Sequence, residues 1–119
     1  MPAKPIHVAK AQGNEGFALS LSLDSQPKID WALIALFYAA MHYVEAYLAL
    51  TGQHLRSHTH RDNVVGRDKN LKKIFREYQD LKYYGYAARY EPPQFTSKSF
   101  TIDALPQFNI LKAHISTLL

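Results

Sequence analysis

Apolar positions recur at helical spacing over most of the chain. The clearest run starts at Asp30, a good N-cap, and ends at Leu50, where Thr51-Gly52 stops it. Trp31, Ile34, Tyr38, Met41, Glu45 and Leu48 share one stripe, and Phe37, Val44 and Tyr47 widen it, so the pattern predicts a central bundle helix. Farther on, Leu71, Ile74, Phe75, Tyr78 and Leu81 lie between Lys69, Lys72, Lys73, Arg76 and Lys82, which predicts one packed and one basic face. This helix is expected to start at Asp62 or Asp68, with Gly66 a weak point between them, and to end near Tyr90, because Pro92-Pro93 cannot continue it. After a loop over 91–99, a last helix is expected from an Asp103 cap, with Phe108, Leu111, Ile115 and Leu118 as its stripe.

The first third carries two patterns. Pro5 can open a helix through Ile6, Ala9, Gly13, Phe17 and Leu21, although Gly13 and Gly16 each cost about 1 kcal/mol relative to Ala inside it. Phe17, Leu19, Leu21 and Leu23 also alternate strictly with Ala18, Ser20 and Ser22, which is strand periodicity. A strand would lack a partner, since no second alternating run exists, and helix is the preferred reading. The chain is therefore read as one all-α bundle of four to five helices over residues 1–119.

Composition narrows the function classes. With 47% apolar and 13% aromatic residues the chain is globular rather than disordered. It has no cysteine, which removes disulfides, thiolate zinc sites and cysteine nucleophiles. That fits a reducing compartment, and with no clean signal-peptide core at the start the protein reads as cytoplasmic. His42 and Glu45 interrupt the longest apolar stretch, so no membrane association is expected.

Charge is concentrated. Residues 53–73 hold Arg56, Arg61, Arg67, Lys69, Lys72 and Lys73 against Asp62 and Asp68, an excess equal to the whole net charge of +4. Such a field attracts phosphate-rich partners by steering and counterion release, while a merely solvated face would show the same residues. His54, His58 and His60 fall in the same segment.

Two blocks carry a family resemblance. The run from Leu36 to Leu48, followed by Ser57-His58-Thr59-His60-Arg61, and then Tyr78-Gln79-Asp80-Leu81-Lys82 with Ala88-Arg89-Tyr90, resembles the HEPN family of small helical nucleotide- and nucleic-acid-associated domains. The resemblance implies an up-down antiparallel bundle that pairs as a homodimer. It also implies either metal-independent RNA cleavage or a non-catalytic role beside a nucleotidyltransferase, as in a toxin–antitoxin pair. Cleaving members have four to six residues between an Arg and a following His; here only three separate Arg56 from His60, and Arg61 follows the His.

The residues allow that chemistry on their own terms. Metal-free RNA cleavage needs a base, an acid and a cation on the phosphate, and His58 with His60 could serve as the first two while Arg56 or Arg61 held the phosphate. The competing reading makes both histidines ordinary loop or capping residues. Arg67, Lys69, Lys72 and Lys73, with Arg61, are candidate nucleic-acid contacts, and Arg89 and Tyr90 could contact phosphate or stack on a base. No carboxylate stands at metal-ligand spacing from the histidines, and Gly13 and Gly16 form no phosphate-cradling string, so neither metal nor cofactor is expected. Tyr83, Tyr84, Tyr86 and Tyr90 exceed what one helix stripe buries, which points some of them to an interface. Three classes remain: an RNA- or nucleotide-binding module, a metal-independent endoribonuclease, and a non-catalytic dimerisation protein.

Overall fold

The computed structural model describes residues 3–52 and 57–119, and in them the chain is an all-α bundle. The helices are α1 (Lys4–Ser20), α2 (Gln26–Leu50), α3 (His58–Arg67), α4 (Phe75–Tyr90) and α5 (Leu105–Ser116). A 3-10 turn, Lys72–Ile74, leads into α4, and a π-helical segment, Ser99–Ala104, leads into α5. No strand occurs among the described residues. Phe17 to Ser20 form the last turn of α1, and Leu21 to Ser25 are the loop to α2, with Leu23 in the left-handed region (φ 58°).

Local chemistry sets most helix ends. Pro5 and Pro27 sit in the first turns of α1 and α2, where a missing N–H breaks no intrahelical bond. Thr51 closes α2, its Oγ1 donating to the Leu48 carbonyl at 2.9 Å, and Gly52 follows at φ 75°, a conformation glycine takes without strain. The Ser57 hydroxyl accepts from the His60 N–H at 3.1 Å and so caps α3.

Three expectations are corrected. Helix α2 begins four residues before Asp30, after an extended Ser25, and the Asp30 carboxylate instead accepts from Gln26 Nε2 at 3.1 Å. The basic helix expected from Asp62 or Asp68 is two helices, because the Asp68 carboxylate accepts from the Asn70 and Leu71 N–H groups at 2.8 and 3.1 Å and turns the chain between them. Helical structure before α5 starts at Ser97, and Asp103 lies inside the π turn rather than capping.

Helix α2 is central and touches α1, α4 and α5. Leu33, Leu36, Val44 and Leu48 of α2 meet Tyr78 and Leu81 of α4 and Phe108, Leu111 and Ile115 of α5 in one core. Against α1 the contact is made by small residues: Ala11 and Ala18 are fully covered, and His7 completes their stripe. Trp31 does not join the core and is 58% exposed. Helix α2 is long and apolar enough to cross a membrane, but most of its apolar window is buried within this bundle.

Candidate functional site

The turn from α3 to α4 collects exposed cations. Arg67 ends α3, Lys69 follows Asp68, Lys72 and Lys73 lie on the 3-10 turn, and Arg76 opens α4. All five are exposed, and none forms an ion pair among the described residues. The one acid among them, Asp68, is already engaged: besides the two backbone N–H groups, the Tyr47 hydroxyl donates to it at 3.2 Å. Asn70 Nδ2 donates in turn to the Tyr47 oxygen at 3.0 Å, and the Asn70 carbonyl lies 2.6 Å from His114 Nε2. The turn is thus tied to both α2 and α5, and its cations project from a fixed backbone. Lys69, Lys72, Lys73 and Arg76 also stand at the N-terminal end of α4, where the helix dipole disfavours positive charge, whereas Arg67 closes α3.

Arg61 is placed differently. It is 7% exposed, and its Nε donates to Glu45 Oε1 of α2 at 2.6 Å. The Tyr78 hydroxyl, buried beside the same guanidinium, has its ionisation pushed well above the ordinary phenol range by burial. Asp62, the next residue, pairs with Lys82 of α4. His60 is exposed, so one helical step separates a solvent-facing imidazole from a guanidinium held inside the bundle. Arg56 lies outside the described residues, as do His54 and the His58 side chain. Among the described residues no group of three or more His, Asp or Glu is placed to hold a metal ion.

Arg89 and Tyr90 lie at the far end of α4, in a groove shared with α2. Phe37 of α2 packs against Gly85, Tyr38 meets Arg89, and Tyr78 lies nearer the Glu45 end, so the two helices run antiparallel. Tyr38 and Tyr47, which mark the groove and the basic turn on α2, are nine residues apart, or on the order of 14 Å along the axis. The fold therefore gathers Arg67, Lys69, Lys72 and Lys73 at one place and sets Arg89 and Tyr90 at another.

Of the clustered tyrosines, Tyr84 packs edge-on against Phe95 with centroids 5.4 Å apart, and Tyr86 and Tyr90 are 57% and 63% exposed. Sequence reasoning put Arg76 on the basic face but not among the candidate contacts, because it lies three residues past the charge window, and it missed the pairing of Arg61 with Glu45. A carboxylate on an apolar stripe was the signal for the second, since a buried charge requires a partner. No protein-family profile matches the chain, and neither a curated protein nor a solved structure does.

Proposed function

We propose that the protein is a helical module that binds RNA, without itself needing to cleave it, through the exposed cations between Arg67 and Arg76. The observation that carries this reading is the turn itself: five cations within ten residues with no ion pair among the described residues, and the one acid between them held by backbone and Tyr47. Like charges crowded into one turn, four of them before or at the start of α4, repel one another, and a polyanion relieves that repulsion while releasing its own counterions. The HEPN-like sequence features support RNA over other polyanions, and by the same resemblance a nucleotidyltransferase is a candidate protein partner. Arg61, with its guanidinium paired to Glu45, belongs to the scaffold of this reading rather than to its RNA contacts.

Fluorescence anisotropy with a labelled single-stranded RNA, titrated between 50 and 200 mM salt, tests it. Five phosphate contacts correspond to a slope of log K on log salt of about −3.5, and Lys72→Glu with Lys73→Glu should flatten it by at least about 1.4. Lys28→Glu, on the exposed start of α2, is the control and should change neither. A flat salt dependence, or equal loss from both variants, overturns the assignment.

A further inference from the structure

The groove between α2 and α4 has the make-up of a small-molecule site distinct from the basic turn. Its floor is apolar, formed by Ile34, Phe37 and Gly85. Gly85 is what makes it deep, because a Cβ there would stand 2.9 Å from the Phe37 Cβ, and its absence lets the two helices approach closely. The walls are aromatic: Tyr38 on one side, and Tyr86 with Tyr90 on the other, the latter pair with centroids 5.1 Å apart. The space enclosed is about 200 Å³, smaller than the roughly 300–1,000 Å³ of pockets that engulf drug-sized ligands.

One cation stands at the rim. Arg89 Nη1 donates to the Tyr38 hydroxyl at 2.5 Å, and the guanidinium carbon lies 5.0 Å from the Tyr90 ring centre and 6.0 Å from that of Tyr38. These contacts hold the guanidinium in place without neutralising it. Its neighbour in sequence, Glu91, accepts instead from Gln94 Nε2 at 2.9 Å, and the groove's other cation, Lys82, is paired with Asp62. A guanidinium fixed between aromatic rings, with no ion pair among the described residues, above an apolar slot, complements one kind of ligand: a flat ring that fills the slot and an anionic group that meets the fork.

We infer that the α2–α4 groove binds an aromatic ring bearing a single anionic group, the ring against Tyr86 and Tyr90 and the anion on Arg89. A carboxylate and a phosphate present the same oxygen pair to a guanidinium, so aromatic acids and mononucleotides share this chemistry. The site stands on its own residues and does not depend on RNA binding at the basic turn.

Titration calorimetry of the full chain with four probes tests it: indole-3-acetate and adenosine 5′-monophosphate, with indole and adenosine as their neutral counterparts. At least one anionic probe should bind at least about tenfold more tightly than its neutral counterpart. Arg89→Gln should remove that preference while leaving the neutral probe's affinity unchanged, and Arg89→Lys should restore part of it. Tyr90→Ala should weaken charged and neutral forms alike. Whichever anionic probe shows the preference identifies the source of the ligand as an aromatic acid or a nucleotide. Because these three variants are at two exposed side chains, Arg89 and Tyr90, circular dichroism should report an unchanged fold. Binding of neither anion, a preference that survives Arg89→Gln, or one abolished instead by Lys72→Glu with Lys73→Glu, overturns the inference.

Discussion

His7 Nδ1 of α1 lies 3.2 Å from His42 Nδ1 of α2, ring beside ring with centroids 5.4 Å apart, at the seam where these two helices pack. A hydrogen bond between them requires one protonated and one bare Nδ1, and charging both imidazoles abolishes it. Burial pushes the His42 ionisation below its usual value, His7, Lys10 and Arg61 push the same way, and Glu45 opposes. A histidine whose folded value is depressed takes up its proton more readily in the unfolded chain. Stability is then full above the ordinary value of 6.5 and declines as pH falls from there through the lower folded value. Thermal melts between pH 8 and 5.5 should show that decline, and His42→Asn should flatten it. Equal pH profiles for the two proteins would remove the pair as the cause.

The Arg61–Glu45 pair sets a second expectation. Arg61→Ala leaves a carboxylate buried without its cation, and urea unfolding should record a loss of about 3–5 kcal/mol. Joint replacement by Met at 61 and Leu at 45 removes both charges and should recover most of that loss. Lys72→Ala, on an exposed side chain, should stay within about 0.5 kcal/mol of wild type.

Glycine positions separate helix propensity from packing. Gly13 and Gly16 face open space, so Ala at either should stabilise α1 by up to about 1 kcal/mol. Gly85→Ala gains the same propensity but drives its methyl into Phe37, and the net result should be a loss of about 1–3 kcal/mol. Chemical denaturation of the three variants should therefore move in two directions.

Asp68 offers a test of shape against charge at the basic turn. Asp68→Asn removes a negative charge and keeps an oxygen for the Asn70 and Leu71 N–H groups, so RNA affinity should rise. Asp68→Ala adds the same net charge and loses the turn. Its RNA affinity should fall below that of Asp68→Asn, together with about 1–3 kcal/mol of stability.

Punctuation residues made several boundaries legible in advance. Pro5 opens α1, Thr51-Gly52 closes α2 and Pro92-Pro93 follows the end of α4, each by removing or permitting one backbone conformation. The start of α2 was hidden because Asp30 is as good a cap by type as Ser25, and only the chain's path decides which has extended dihedrals. Trp31 was misplaced because a stripe wide enough for a central helix leaves its edge undefined, and that edge stays largely exposed here. Contacts between distant positions were illegible. His7 carried no signal because its partner is thirty-five residues away, and Arg61 sat within a basic run in which Arg67, Lys69, Lys72 and Lys73 face solvent.

The small-residue seam between α1 and α2 also shapes how the chain folds. These helices are consecutive and joined by a five-residue loop, so their docking requires closing only a short segment. Helix α5 has to return across roughly fifty-five residues to reach α2, a far larger search. The α1–α2 hairpin is thus the natural first-formed unit. Substitutions at Ala11 or Ala18 should slow refolding, whereas those at Leu111 or Ile115 should mainly hasten unfolding.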